Sequence, residues 1–302
     1  MNRCFNLVLG VLVILVGCES SSSEPSRGCG TDIAVGEVQG FGTQIPTRTE
    51  GIVFDAAGNL FVSAISTQTD DQLLSIALDG TPTLVTEATS ILGLESHANG
   101  ILAAGFETGQ LLLIDPADGS IDVIAENLGA PNFVVTTPWG TILVSDDSRR
   151  QDSIDEVTWD GQVSTWVQGV PTPNGMVFSL DQRTLYVATT LEEPGLWRVP
   201  VSEDGQAGTP TKWVAFELTT PDGVAIDSEG NVYVALNTTG EIAKVDSEGN
   251  VTTVAEGVDW VASLAFGQGE LDPCSIYATS LFDTQLDTQL WRVGVGTLGV
   301  EK

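Results

Sequence analysis

The chain has 302 residues, of which 42% are hydrophobic, and a formal net charge of −30. Binding to nucleic-acid phosphates needs clustered Lys and Arg, so this acidity argues against a nucleic-acid partner. Similar segments recur along nearly the whole chain, which favours one closed domain over two.

Residues 1–17 have the pattern of an export signal. Arg3 provides a positive start, and residues 7–16 form an apolar stretch too short to span a membrane as a helix. Residues 15–18, Leu-Val-Gly-Cys, resemble the lipobox of bacterial lipoproteins, which implies cleavage before Cys18 and lipid attachment to its thiol. An ordinary signal peptide or an uncleaved anchor is the alternative. Residues 18–30 are then a flexible tether, and the protein faces the periplasm or the cell surface, bound to the membrane only through its lipid.

A repeated phrase organises the rest of the chain. Residues 221–236, Pro-Asp-Gly-Val-Ala-Ile-Asp-Ser-Glu-Gly-Asn-Val-Tyr-Val-Ala-Leu, predict two short strands around a tight turn. Copies of it recur every 40–48 residues, a period typical of a β-propeller with one four-stranded blade per repeat. The residue before each copy, which we call the ring position, is Glu50, Leu92, Asn132, Asn174, Asp222 or Ala262. The sequence therefore predicts an all-β, six-bladed propeller.

The ends of the chain are expected to close this propeller. The last repeat has only three strand-like segments, and residues 31–38 resemble the missing fourth strand. We predict that this N-terminal strand completes the last blade, within a propeller domain of residues 31–302, and removes an open sheet edge. Cys29 would then flank this strand and Cys274 would begin the second strand of the same blade. In an exported protein they form a natural disulfide pair, although two unpaired thiols remain possible.

Four of the six ring positions carry side-chain oxygens: Glu50, Asn132, Asn174 and Asp222. Because the inner strands line the central channel, these side chains are expected to converge at one mouth. Two carboxylates and two amide carbonyls suit Ca²⁺ or another divalent cation, whereas softer metals favour His or Cys. Glycines that follow the ring position are expected to let the backbone turn tightly into the inner strand. Ordinary turn chemistry is the alternative interpretation of the Asp and Asn residues.

Other polar and aromatic residues are interpreted as structural. His97, the only histidine, falls in a predicted hairpin turn and is expected to be exposed, which argues against Ser-His-Asp catalysis and His-rich zinc sites. Residues 146–150, Asp-Asp-Ser-Arg-Arg, could overlook the channel mouth, but a surface salt-bridge cluster is favoured. Tryptophans are expected to pack between sheets; they are Trp159, Trp166, Trp197, Trp213 and Trp291.

The phrases that begin at Glu50, Pro131, Pro173 and Pro221 resemble the motifs of the SMP-30/gluconolactonase family of six-bladed propellers. The resemblance spans about residues 50–295, and its most specific segments surround Asn174 and Asp222. It implies a divalent cation on the matching Glu, Asn and Asp residues, with Asn132 beside the metal and the substrate. It also implies that Asp222 serves as catalytic base or nucleophile.

The resemblance implies a hydrolase of a lactone or a related ester, with a small-molecule substrate. We expect the protein to be a monomer. Sugar lactonases of the family often carry Arg-Pro-Asn-Asp in blade three, where this chain has Ala-Pro-Asn-Phe, and Phe133 is expected to make the pocket more apolar. The alternative is a non-enzymatic binding module at the cell envelope, because residues 223–235 also resemble an NHL repeat. In that case the ring residues only cap turns.

Overall fold

The computed structural model describes Cys29 and residues 32–45, 47–148, 152–281 and 288–300. Over these residues the chain is all-β and forms 24 strands. In chain order the strands are β1 (Val38–Ile45), β2 (Arg48–Phe54), β3 (Leu60–Ile65), β4 (Asp71–Ile76), β5 (Pro82–Ala88), β6 (Leu94–His97), β7 (Gly100–Gly105), β8 (Gln110–Ile114), β9 (Ile121–Ala125), β10 (Pro131–Thr136), β11 (Ile142–Asp146), β12 (Ser153–Val157), β13 (Val163–Gln168), β14 (Pro173–Phe178), β15 (Thr184–Thr189), β16 (Gly195–Pro200), β17 (Thr211–Ala215), β18 (Pro221–Ile226), β19 (Val232–Leu236), β20 (Glu241–Val245), β21 (Val251–Glu256), β22 (Val261–Phe266), β23 (Ser275–Ser280) and β24 (Thr288–Gly294).

The strands form six antiparallel four-stranded sheets, which are the blades of a propeller. Blades 1 to 5 each contain four consecutive strands, from β2–β5 through β18–β21. Burial falls from the inner to the outer strand: every residue of β18 is buried, whereas β21 is largely exposed. The predicted six-bladed propeller is confirmed.

Blade 6 is closed by an N-terminal strand, but not by the segment predicted from the sequence. Its strand order is β22, β23, β24 and then β1, and β1 covers Val38–Ile45 rather than residues 31–38. Gly36 has a φ of 82° and lies in a turn in which the Glu37 N–H donates to the Ala34 carbonyl, so a strand cannot continue through it. The strand is instead fixed by its apolar side chains, since Phe41 packs edge-on against Tyr277 at 4.9 Å and Ile45 is buried.

A covalent bond and an ion pair attach the segment before β1 to blade 6. A disulfide joins Cys29 to Cys274, which are 245 residues apart in sequence. Arg292 on β24 pairs with Asp32 at 2.9 Å and with Asp272 at 2.6 Å. The ends of the propeller are therefore held by a covalent bond, an ion-pair cluster and the β1–β24 ladder together.

Apolar side chains between neighbouring blades form the core. Blades 5 and 6, for example, enclose one cluster that contains Tyr233, Ile276 and Val293. The five tryptophans predicted to pack between sheets contact such clusters or other aromatic rings, as when Trp213 stacks on Tyr186 at 5.3 Å. Burial of these apolar surfaces is the main favourable term in holding the blades together.

Within the described part of the chain, no helix is long and apolar enough to cross a membrane. The predicted signal, the tether up to residue 28 and the lipidation site Cys18 lie outside the described residues.

Candidate active site at the channel mouth

The ring residues lie at irregularities in the sheets. In blades 1, 3, 4, 5 and 6 the pairing between the first two strands shifts register at the ring position, as between Pro221 and Val224 in blade 5. A bulge re-aims the side chain that it contains. The same local irregularity therefore directs each of these ring side chains out of the regular alternation of its strand.

Hydroxyl groups on the second strands support these bulges and join neighbouring blades. Ser63 accepts a hydrogen bond from the Gly51 N–H at 2.7 Å and donates to the Leu92 carbonyl of blade 2 at 2.7 Å. In blade 6, Thr279 accepts from the Ser263 N–H at 2.9 Å and donates to the Glu50 carbonyl of blade 1. The ring positions of adjacent blades are thereby held at fixed separations.

Glycines after the ring positions have a different role from the predicted tight turn. Gly51 and Gly175 are not among the residues with positive φ. Instead, the next blade approaches them closely: a Cβ added at Gly175 would lie 2.5 Å from the Asp222 carbonyl oxygen, and one at Gly51 would collide with the Leu92 carbonyl. The glycines are required because the inner strands pack backbone against backbone at the level of the ring.

Five of the six ring positions line one cavity of about 340 Å³ at the channel mouth. They are Glu50, Leu92, Asn132, Asn174 and Asp222. Ala262, the sixth, is fully buried and is not part of the lining. Residues that are far apart in sequence thus converge on one small-molecule-sized pocket.

The four polar ring residues each present one buried side-chain oxygen that has no hydrogen-bond partner. All four side chains are nearly inaccessible, with exposures of 3–6%. The unpartnered atoms are Glu50 Oε2, Asn132 Oδ1, Asn174 Oδ1 and Asp222 Oδ1. Because an unsatisfied buried oxygen is costly, four of them in one cavity indicate a site built for a cationic or hydrogen-donating ligand.

A second tier of polar residues orients the ring side chains. It lies 15 or 16 residues after the ring position, where the second strand of the blade ends. Asn132 Nδ2 donates to Asp147 at 3.3 Å, and Asn174 Nδ2 donates to Thr190 at 3.1 Å. Asn237 Nδ2 donates to Asp222 Oδ2 at 3.4 Å. The two amides are thereby turned with their nitrogens on the second tier, which leaves their carbonyl oxygens for the pocket.

Two members of this tier also connect neighbouring blades. The Thr190 hydroxyl donates to the Pro221 carbonyl at 3.1 Å, next to Asp222. Asn237 Nδ2 donates to the Val261 carbonyl of blade 6 at 3.0 Å. The orientation of the site is therefore coupled to the packing of blades 4, 5 and 6.

The site is strongly electronegative. Burial, followed by the charges of Asp222, Asp147 and Asp71, raises the pKa of Glu50 well above its ordinary value. Burial and the charge of Asp147 raise the pKa of Asp222, while the nearby Asn174 amide partly opposes this rise. None of the described lining residues is Lys, Arg or His, so this part of the chain supplies no positive charge to balance the carboxylates.

The residues present fit a hard divalent cation. Carboxylate and amide oxygens are the ligands that Ca²⁺ prefers, and a positive ion would satisfy the four unpartnered atoms together. In the described residues, no three His, Cys, Asp or Glu side chains form a metal-binding group by themselves. A cation at this site would therefore depend on the amide oxygens of Asn132 and Asn174 as well as on carboxylates.

Two further predictions need correction. Asp146 and Asp147 are not solvent-exposed surface residues: Asp146 is buried and accepts from the Ala130 and Ser148 N–H groups, and Asp147 lines the pocket. Arg149 and Arg150 lie outside the described residues. His97 is half-buried rather than exposed, and its ring lies 4.3 Å from that of Trp159.

Phe133 does not line the cavity, because it packs in the cluster between blades 3 and 4. The apolar lining comes instead from Leu92, Phe106, Trp260 and Leu281. The pocket roles of Thr190 and Asn237 were not predicted from the sequence, and a position of Asp147 at the channel mouth was considered but not favoured. Their offset of 15 or 16 residues from the ring position is the signal that could have identified them.

The chain is similar to known proteins in sequence and structure. It is 28% identical to pentonolactonase XacC of Haloferax volcanii over 205 residues, which cover 64% of this chain and 68% of the relative. A gluconolactonase of Xanthomonas campestris superposes with a TM-score of 0.72 at 19% identity, over 85% of this chain and 89% of the other. Regucalcin of Agrobacterium tumefaciens, a calcium-binding protein, has a TM-score of 0.69 at 22% identity, with coverages of 85% and 93%.

At these identities the structural matches show a shared fold. The family model for the SMP-30/gluconolactonase/LRE-like region matches residues 41–281, which is most of the chain and includes all six ring positions. The chain belongs to the SMP-30/gluconolactonase/LRE-like family.

Proposed function

We propose that the protein hydrolyses a lactone or a related carboxylic ester in the ring pocket, with a divalent cation, Ca²⁺ by its ligand chemistry, held by Glu50, Asn132, Asn174 and Asp222. The observation that carries this proposal is the set of four buried, unpartnered oxygens in one cavity. Family membership and relatives named pentonolactonase and gluconolactonase support the reaction class. A relative named as a calcium-binding protein supports the choice of cation.

Asp222 is assigned as the general base. Its Oδ2 accepts from Asn237, whereas Oδ1 has no protein partner. Because a carboxylate oxygen has two lone pairs, Oδ1 can accept from a pocket water with one of them while the other faces the cation. In hydrolysis, Asp222 takes a proton from the attacking water as the water oxygen bonds to the carbonyl carbon. When the ring C–O bond breaks, the leaving alkoxide receives that proton and a hydroxy acid results.

The other ring residues bind and orient. Asn132 and Asn174 present carbonyl oxygens because their amide nitrogens are held by Asp147 and Thr190. Glu50 contributes the second ring carboxylate from blade 1. A cation bound by these groups supplies Lewis-acid polarisation of the ester carbonyl.

The alternative of a binding module whose ring residues only cap turns has less support. A turn cap requires that the side-chain oxygen accept a nearby backbone N–H. The unpartnered oxygens of Asp222 and Asn174 accept none. Asp246, in the turn after β20, shows the contrast, since its Oδ1 accepts the N–H groups of Glu248 and Asn250 at 2.9 Å.

Calorimetric titration and lactone hydrolysis test this proposal. The purified protein should bind Ca²⁺ at one site and hydrolyse lactones, and Asp222→Asn and Glu50→Gln should lose both properties. Glu203→Gln is the matched control, because its side chain is 89% exposed and lies on the surface. Wild-type turnover in Asp222→Asn would refute the assigned role of Asp222.

Export, lipid attachment at Cys18 and a monomeric state remain parts of the proposal that depend on sequence pattern. Mass spectrometry of the protein from its native host would detect diacylglycerol on Cys18. Recovery of an unlipidated chain that begins C-terminal to Cys18 would contradict the lipid anchor.

A further inference from the structure

The ring pocket is divided into a polar half and an apolar half. Blades 3, 4 and 5 are consecutive around the ring, and each supplies a polar residue at both the ring position and the second tier. Blades 6 and 2, which flank Glu50 in blade 1, supply apolar side chains instead. The apolar residues that line the cavity are Leu92 and Phe106 from blade 2, with Trp260 and Leu281 from blade 6.

This division follows from the repeat itself. Leu92 is the ring residue of blade 2, and Phe106 follows the end of β7, at the position that Asp147 occupies after β11 in blade 3. Leu281 follows β23 in the same way. Equivalent positions of the repeat therefore hold polar residues on one side of the pocket and apolar residues on the other.

The pocket has few free hydrogen-bond donors for a polyhydroxylated substrate, and the proposed cation occupies the four unpartnered acceptor oxygens. The amide nitrogens of Asn132 and Asn174 and the hydroxyl of Thr190 already donate to protein acceptors. Among the described lining residues, Thr220 has an unpartnered hydroxyl, and none is a Lys, Arg or His. Sugar hydroxyls placed against Leu92, Phe106 and Leu281 would lose their hydrogen bonds to water without replacement.

Burial of a hydrocarbon group against these side chains is favourable instead, because it removes apolar surface from water. We propose that the preferred substrate is a lactone or ester that bears an alkyl substituent. The alkyl group lies against Leu92, Phe106, Trp260 and Leu281, and the ester group faces Asp222 and the amide oxygens of the polar half. This inference rests on the proposed ester hydrolysis and specifies its substrate class.

A chain-length series tests the inference. Hydrolysis is measured for γ-lactones from γ-butyrolactone to γ-nonalactone, with glucono-δ-lactone as the polyhydroxylated comparison. We expect kcat/KM to rise about two- to fourfold for each added methylene that becomes buried. The nonalactone should exceed the glucono-lactone at least tenfold. A flat series, or preference for the glucono-lactone, would overturn the inference.

Phe106→Ala should reduce the ratio of kcat/KM for γ-nonalactone to that for γ-butyrolactone by about tenfold. Leu180→Ala is the matched control, since Leu180 is half-exposed in the hairpin after β14, at the end of blade 4 remote from its ring residue Asn174. Equal ratios in the two variants would contradict the assigned apolar half.

Binding of unreactive lactams separates this inference from the proposed reaction. Calorimetry compares 5-pentyl-2-pyrrolidinone with 2-pyrrolidinone. Tighter binding of the pentyl lactam without hydrolysis of any lactone would support the apolar half and refute the hydrolase. Hydrolysis of lactones at a rate that does not depend on alkyl chain length would overturn the apolar half but leave the proposed hydrolysis supported. Equal binding of the two lactams would also overturn the apolar half.

Discussion

Replacement of Glu50 by Gln should have opposite effects on the stability of the protein without and with calcium. Glu50 is 3% exposed, its Oε2 has no partner, and the charges of Asp222 and Asp147 act on it. Its pKa is raised in the folded state, mainly by burial, so the folded state holds the proton more tightly than the unfolded state. The free energy of unfolding is therefore greatest below the unfolded pKa and decreases as pH rises through the folded pKa.

The size of the effect follows from the cost of the unpartnered group. A buried acceptor without a partner costs about 1–3 kcal/mol, and more when it is charged. A domain of this size unfolds with an entropy of roughly 0.6 kcal/mol/K. In the absence of divalent ions, Glu50→Gln should therefore melt roughly 2–5 °C above the wild type at pH 8. This advantage should shrink as pH falls toward 4.5, the ordinary pKa of a Glu carboxyl, because burial keeps the folded wild-type carboxyl protonated there.

Calcium should reverse the order of the two proteins. At a calcium concentration 100 times Kd, the wild type gains about 2.7 kcal/mol, which corresponds to roughly 5 °C. The variant lacks a charged ligand and should lose most of this gain.

Thermal melts followed by circular dichroism measure these differences in EDTA and in excess calcium, at pH 5 and pH 8. Glu203→Gln removes an exposed carboxylate and should melt like the wild type under all four conditions. If Glu50→Gln melted below the wild type in EDTA at pH 8 and retained the full calcium shift, Glu50 would be a structural residue and the cation site would lie elsewhere.

Three further predictions concern the support of the site. Gly175→Ala should lower the free energy of unfolding by about 2–3 kcal/mol, because the new Cβ meets the Asp222 backbone. Denaturant titration measures this loss. Gly257→Ala is the control: no atom lies near its added Cβ, so it should lose only about 1 kcal/mol, from its positive φ. Thr190→Val should reduce kcat/KM about tenfold, because the Asn174 amide loses its acceptor. Thr190→Ser keeps the hydroxyl and should have the wild-type kcat/KM. Equal kcat/KM values in the two variants would refute this positioning role. Cys29→Ser should lower the free energy of unfolding by about 3–5 kcal/mol, because the disulfide closes a loop of 245 residues. A reducing agent should lower the melting temperature of the wild type to that of the variant. An unchanged melting temperature would contradict a stabilising disulfide.

The repeat made the fold and the ring predictable from sequence. A period of 40–48 residues is a local, repeated signal, and every blade supplies an independent copy of it. Once the copies are aligned, propeller geometry requires equivalent positions to surround one axis. This is why Glu50, Asn132, Asn174 and Asp222 could be grouped before their contacts were known.

The closing strand could not be placed by the same reasoning. Ile33 and Val35 alternate with polar or small residues in residues 31–38, whereas the apolar residues of 38–45 are unevenly spaced, at Val38, Phe41 and Ile45. Their pairing is decided by contacts with residues about 250 positions away, among them Phe41 with Tyr277 and Asp32 with Arg292. Register between distant strands depends on which side chains the assembled core can bury.

The amino-acid sequence by itself determined the number of blades, the ring positions and the oxygen chemistry that they share. Only the tertiary structure decided which atoms of those residues lack partners, that Asp147 joins the pocket, and that one half of the wall is apolar. It also revealed that the glycines after the ring position make room for the neighbouring blade. The physical reason is that each repeat encodes its own blade through local sequence. Charge interactions, donor orientation and close packing at the channel mouth depend on contacts between blades, which the sequence of a single repeat does not specify.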